Sequence, residues 1–473
     1  MKKNAAYTSP YEFTGPIPLR QAIPLGMQHV LAMFVGNLTP LMIICGVCGI
    51  TAEQPALYVT LLQNAMLAAG VITLIQLWSI GPIGGQVPVI MGTSSGFLGV
   101  MRGVAVSMGG GVMAYSAILG AAMVGGACEA VLGFFIKPLR RFFPPVVTGT
   151  VVLAIGLSLI GVGVNSFAGG SGAKDFGSLP NLLLGLLVLI VIVALKHFTK
   201  GITSTSCILC GIIVGYIAAS LMGLALPHQL TDSEGAVYNA AWYVNWSRIG
   251  EAAWISVPRL LPVKPTFDLH AILSILIMFL VTAVETIGDI SGCIEGGMGR
   301  EATAKELSGG VVCDGVGSVI SALFSSLPTT SFSQNVGLVT MTKVVNRMAL
   351  TCGAVFLVLA GLSPKLAAVI SIMPQSVLGG AAVMMFASIA VSGIKLLTKH
   401  GVTNRVVTIV SIAMGLGYGL GATAGALAGL PQGVQLIFGG SGIVPAAVLA
   451  IVLNIVIPKE REDLDAETAA GQT

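Results

Sequence analysis

This sequence predicts an all-α polytopic membrane protein of fourteen transmembrane segments, arranged as two inverted seven-segment repeats. Three observations lead there. Of 473 residues, 55% are hydrophobic and 9% charged, whereas a soluble domain carries about 25% charged residues because its surface must be wetted. Apolar runs near the roughly 20 residues needed to cross a bilayer recur from end to end. Two stretches about half a chain apart interrupt the helical pattern in the same way.

Taken in order, residues 1–21 begin MKKNAAYTSPYEFTGP and lack an apolar core with a small-residue cleavage site. They read as a cytoplasmic tail, with no removable signal expected. Between 22 and 226, seven segments centre near Phe34, Leu67, Ser94, Met123, Ala154, Leu187 and Val214. The longest polar connection, 227–268, carries Trp242, Trp246 and Trp254, which suits an external loop with interfacial aromatic anchors. Seven further segments between 269 and 458 centre near Met278, Val316, Asn335, Val355, Met384, Ile412 and Val448, and 459–473 form a second cytoplasmic tail.

Basic residues test this parsing. Seventeen of the 23 fall on the inside if both termini are cytoplasmic, as the positive-inside rule requires. The other six, Arg102, Lys174, Arg248, Arg259, Lys264 and Lys365, fall outside, and three of them lie in the long loop. A miscounted segment would scramble the asymmetry. The net charge of +4 is small, and nothing points to nucleic acid. The C-x-x-C pairs Cys45/Cys48 and Cys207/Cys210 sit in apolar runs without nearby His or acidic partners, so they read as small buried hydrophobes rather than metal or redox sites.

The third segment reads VPVIMGTSSGFLG and the tenth LPTTSFSQNVGLV. In each, a proline (Pro88, Pro328) is followed by Ser and Thr and then a glycine (Gly96, Gly337), and the two prolines are 240 residues apart. Both stretches are poor in helix formers. Irregular backbone at membrane depth is tolerated only where it is buried in protein or lines a cavity, and matched breaks in inverted halves mark the binding site of many secondary transporters. Close helix packing is the other reading of such Gly and Ser residues.

Of 19 acidic residues, Glu129, Glu285, Asp289 and Asp314 fall within the expected spans, and among the histidines His29 does so deeply. A charge there costs several kcal/mol unless it meets a partner or a wet cavity, so each is a functional candidate. Glu285 and Asp289, spaced i, i+4, share one helix face. With Asp314 in the next segment they suit proton uptake, although Asp289 and Asp314 could instead brace broken helices. Glu129, among the small residues of GGACEAVLG and far in sequence from the broken segments, reads as structural.

The stretch Gln334-Asn335-Val336-Gly337-Leu338-Val339-Thr340-Met341-Thr342-Lys343 matches the signature of the nucleobase-ascorbate transporter family. QHVLAMFVGNLTP, AVETIGDISG, VCDGVGSVISALF and TTSFSQNVGLV also resemble bacterial xanthine and uric acid permeases, and the likeness runs from about Ala22 to Pro458. The resemblance implies a core domain (segments 1–4 and 8–11) facing a gate domain (segments 5–7 and 12–14). Substrate would bind between them against short strands in segments 3 and 10. It implies Glu285 and Gln334 as purine ligands, Asn335 as the supporting amide, Asp314 as the aspartate important for transport, and His29 as the segment-1 histidine of the substrate-binding set; Asp289 lies in the same block as Glu285. Backbone N–H groups near Gly337 and Ser94 are expected to complete recognition. Gln334 instead of Glu resembles purine rather than uracil carriers, and Ser94 resembles urate carriers more than xanthine-selective ones.

The expected function is therefore purine:H⁺ symport by alternating access, for xanthine and/or uric acid, with Glu285, Asp289 and Asp314 handling the proton. Na⁺ is the other possible coupling ion, and a homodimer follows from the resemblance. No cofactor is expected, since no Walker-type sequence or metal-ligand cluster occurs. The rivals are a carrier of uracil or another nucleobase, an anion carrier, and a channel or membrane-embedded enzyme. An anion carrier would place a basic residue or bare helix N-termini at the site, whereas the deep charges here are acidic.

Overall fold

Away from water a backbone must satisfy its own N–H and C=O groups, so apolar runs bounded by Gly and Pro fold as helices. The computed structural model describes residues 7–136, 144–170, 173–231, 237–250, 252–398, 401–423, 425–431, 434–435, 438 and 442–459. The first half holds α1 (Leu19–Val47), α2 (Pro55–Trp78), β1 (Met91–Thr93), α3 (Leu98–Ser107), α4 (Gly111–Gly133), α5 (Pro145–Phe167), α6 (Leu179–Phe198) and α7 (Cys207–Ala225). A hairpin of β2 (Gln229–Thr231) and β3 (Val237–Asn239) follows in the long connection.

The second half holds α8 (Leu269–Cys293), which runs on as a π-turn, α9 (Ala304–Leu323), β4 (Thr329–Ser331) and α10 (Ser333–Thr342). Then come α11 (Arg347–Gly361), α12 (Pro364–Ser371), α13 (Gln375–Thr398), α14 (Asn404–Ile412) with a second π-turn, and α15 (Ile443–Val456). Among the described residues nine helices are long and apolar enough to cross a membrane, and α11 with α12, bent by 82°, makes a tenth. The other four expected segments hold shorter elements: β1 with α3, β4 with α10, α14 with its π-turn, and α15.

The helices fall into two packed groups. In one, α4 packs on α8 and α9, while α11 packs on α1 and α2. In the other, α5 packs on α13 and α15, and α6 joins α7 and α13. They meet where α5 and α15 approach α8 and α3, and where α7 approaches α1. The outer helices α6 and α7 expose Leu183, Ile190, Ile217, Leu221 and Leu224, an apolar face too extensive for water but natural against lipid.

Small residues set the distances within each group. A Cβ added to Gly156 would strike the backbone nitrogen of Ala390, and one on Gly379 that of Phe167. In a bilayer, where helices gain little from hydrophobic contact, such close backbone approach supplies the packing energy. Polar ties finish the ends. Buried Arg405 donates to the carbonyls of Asn454 (2.7 Å) and Ile457 (3.1 Å) at the end of α15, satisfying groups the helix leaves unpaired. Asn346 Nδ2 reaches the carbonyls of Glu12 (3.0 Å) and Gly15 (3.2 Å), fastening the N-terminal segment beside α11.

Gly379→Leu tests the packing. Overfilling this backbone contact should cost about 1–3 kcal/mol, read as a lower Tm of the detergent-solubilised protein, while Gly161→Leu, with no atom near its Cβ, should leave Tm unchanged.

Candidate functional site

β1 and β4 pair antiparallel, with Met91 opposite Ser331, Gly92 opposite Thr330 and Thr93 opposite Thr329. Both strands are buried. They are where the two broken segments meet, and each half supplies what the other lacks. Ser94 N donates to the Pro328 carbonyl (2.9 Å) and Phe332 N to that of Ile90 (3.1 Å). Asn335 Nδ2 donates to the Pro88 carbonyl (3.3 Å). Asn37 Oδ1 accepts from Thr93 N (2.8 Å), and Ser318 Oγ accepts from Thr329 N (3.0 Å). Non-helical backbone at membrane depth is thus paired group by group.

Helices α3 and α10 start just past the strands, so the positive ends of two helix dipoles open on this place. Phe97 and Phe279, with ring centroids 4.6 Å apart, hold α3 against α8. The acidic residues of α8 follow. Glu285 is half-buried, its Oε1 3.4 Å from Ser333 Oγ at the start of α10, while Oε2 has no partner among the described residues. A Cβ on Gly96 would lie 3.7 Å from that Oε2, so β1's trailing residues form the opposite wall. Asp289 Oδ2 accepts from Ser331 Oγ (2.6 Å) and Ser333 Oγ (3.1 Å).

Behind them lies a fully buried layer. Asp314 Oδ2 accepts from Thr330 Oγ1 (3.1 Å) and from Thr286 Oγ1. Thr286 Oγ1 is also 3.1 Å from Ser331 Oγ. Asp314 thereby ties α9 to α8 and to β4. His29, buried in α1, lies with Nδ1 2.5 Å from Asn335 Oδ1. Because Asn335 Nδ2 donates to Pro88, its Oδ1 is an acceptor, so His29 Nδ1 carries the hydrogen. Asn335 is spent on His29 and Pro88, a bracing position between α1, the approach to β1, and α10.

Five sequence-selected residues, His29, Glu285, Asp289, Asp314 and Asn335, therefore converge on the strand pair, although they come from four different elements. Gln334 starts the same short helix, but its side chain lies outside the described residues. Ser94 N–H is taken by Pro328, and Ser94 Oγ accepts from Gly96 N (3.2 Å). Gly337 lies inside α10, where its N–H enters the helix ladder. In the first turn of α10, Asn335 N donates to the Phe332 carbonyl (2.9 Å).

Sequence reasoning missed Asn37 and the hydroxyls of Thr286, Thr330, Ser331 and Ser333. Their signal was present in GNLTP, VETIGD and TTSFS, but a hydroxyl in a helix more often bonds its own carbonyl. A separate cavity of about 320 Å³ lies between α1, α7 and α12, lined by Phe34, Met42, Ile213, Tyr216 and Ile370. It offers no acceptor or donor pattern for a polar ligand, since the Tyr216 hydroxyl is already given to the Val369 carbonyl (2.8 Å).

Comparison with known proteins agrees with this architecture. A family model described as the permease family matches residues 20–424. The chain is 35% identical to the uric acid permease PucK of Bacillus subtilis, over 92% of this chain and 95% of that one. It is 34% identical to the xanthine permease of the same organism, over 92% and 93%. The transmembrane domain of a cyanobacterium bicarbonate transporter, BicA, shares the fold with a TM-score of 0.55 at 17% identity, over 93% of this chain and 98% of that one. The chain is thus a multi-pass membrane protein that belongs to the xanthine and uric acid permease family, the nucleobase-ascorbate transporters.

Proposed function

We propose that this chain carries xanthine and/or uric acid together with H⁺ across the cytoplasmic membrane by alternating access. The observation that carries the reading is Glu285: a half-buried carboxylate with an unpartnered oxygen, set between Gly96 and the first turn of α10. A purine dione or trione presents an edge of alternating N–H donors and C=O acceptors. Glu285 accepts from such N–H groups, the first-turn N–H groups of α10 donate to a carbonyl, and Gln334 can do both. Asn335 and His29 hold α10 in place rather than contacting substrate directly. The names of the relatives support the same substrate class.

In this reading the two helix groups are the moving parts. Segments 1–4 and 8–11 form the core that holds the site, and segments 5–7 and 12–14 form the gate. The repeats run 22–226 and 269–458 in a fourteen-segment layout, with 227–268 outside and both tails, 1–21 and 459–473, in the cytoplasm. A carboxyl of the Glu285, Asp289 and Asp314 group takes the coupled proton, and two copies form a dimer. Carriage of an inorganic anion is less well supported despite the bicarbonate transporter's fold, because the relatives are named as permeases of purines.

Uptake of radiolabelled xanthine into cells lacking their own purine permeases tests the proposal. We expect saturable uptake, abolished by a protonophore and blocked by unlabelled urate but not by uracil. Uptake blocked by uracil, or by bicarbonate alone, would refute it. Glu285→Gln replaces an acceptor facing a purine N–H with an amide; one lost charged hydrogen bond of about 1.5–3 kcal/mol should weaken substrate binding by about ten- to a hundredfold, measured by competition in membranes.

A further inference from the structure

Glu129 is the deep carboxyl that this reading leaves unused. It is fully buried on α4, and its Oε1 lies 3.2 Å from Thr282 Oγ1 of α8, a hydroxyl that also lies 3.1 Å from the Met278 carbonyl. Helices α4 and α9 touch backbone to backbone beside it. A Cβ on Gly126 would lie 2.7 Å from the Gly315 carbonyl oxygen, and one on Gly315 would strike Ala130 N. Glu129 and Asp314 immediately precede Ala130 and Gly315, so the same contact sets the two carboxyls at one depth on facing helices. Each has one oxygen occupied by α8 hydroxyls, Thr282 for Glu129 and Thr286 for Asp314. The other oxygens, Glu129 Oε2 and Asp314 Oδ1, are buried without a partner among the described residues.

Thr282 and Thr286 are one turn apart on α8, and this same helix carries Glu285 and Asp289 to the strands. The charged groups that act on Glu129 are Asp314 of α9 and Glu285 of α8. Helix α3, also packed on α4, brings Arg102, but near the start of α4, whereas Glu129 lies toward its other end. Two buried carboxyls that act on each other are strongly disfavoured as a doubly charged pair, and such groups share a proton instead.

We propose that Glu129 and Asp314 hold one proton between them at rest, and that a second proton, taken up by the pair, is the one carried in each transport cycle. It arrives from the outer solution, neutralises the pair while the core is closed around substrate, and leaves to the inner solution after substrate release. No other bond changes. Glu129 does not touch substrate; it acts through Thr282 and α8. The inference rests on the symport reading above.

The test uses the full-length protein in liposomes with radiolabelled xanthine. Counterflow exchange needs no net proton movement, whereas accumulation driven by an imposed pH gradient does. Glu129→Gln should retain counterflow but lose gradient-driven accumulation about a hundredfold, the scale of removing a positioned proton-transfer group, and its uptake should become insensitive to external pH. Accumulation and a pH profile like wild type would overturn the proposal. Loss of counterflow in a well-inserted Glu129→Gln would mark a structural brace and overturn it equally. Thr282→Val, which removes the hydroxyl and keeps the carboxyl, should shift the pH profile; an unshifted profile would also overturn it. Wild-type protein without purine counterflow would refute the symport reading, and the proposal with it, whereas wild-type exchange beside an unaltered variant refutes the role of Glu129 alone.

Discussion

A chain that leaves the helix inside a bilayer must find hydrogen-bond partners for every exposed N–H and C=O, each worth several kcal/mol if left unpaired. The β1–β4 pairing is how this protein meets that demand. Each broken segment is the other's partner: Ser94 N to the Pro328 carbonyl, Phe332 N to that of Ile90, Asn335 Nδ2 to that of Pro88. Neither half could carry its break alone. The close helix contacts, the buried hydroxyls and the bracing role of Asn335 all serve to keep those six residues of strand in register.

The same demand produces the site. Interrupting two segments brings the positive ends of α3 and α10 to this place, an environment where carboxylates are tolerated. Glu285 and Asp289 occupy it from α8, sharing a helix face that their i, i+4 spacing already fixed. Serine and threonine fill the rest because a hydroxyl both donates and accepts, so Ser331, Ser333, Thr286 and Thr330 can serve the carboxylates without adding charge. The apolar cavity beside α7 lacks this inheritance and offers no comparable chemistry.

The sequence made the break itself legible. Pro88 and Gly96, with Pro328 and Gly337, announced that two segments could not be simple helices, and the intramembrane acids announced which residues needed company. What it hid was pairing at a distance. Asn37 bonds Thr93 across 56 positions, and His29 bonds Asn335 across 306; no local pattern encodes either. The bond from Ser94 N to the Pro328 carbonyl is hidden for the same reason. Glu129 lies far from the broken segments in sequence, a distance that closes once α4 is pressed onto α9.

Strand register is the feature on which everything above depends, and disulfide trapping reads it directly. In a variant with all eight native cysteines replaced, Met91→Cys with Ser331→Cys places two thiols on directly opposed residues of an antiparallel pair, where Cα separations of about 4.5–5.5 Å fall within disulfide reach. The account predicts rapid, near-complete cross-linking of the Met91/Ser331 pair under mild oxidation in membranes, and little for Met91 with Thr329. Preferential cross-linking of Met91 with Thr329, or none with either, would contradict the pairing and the site built on it.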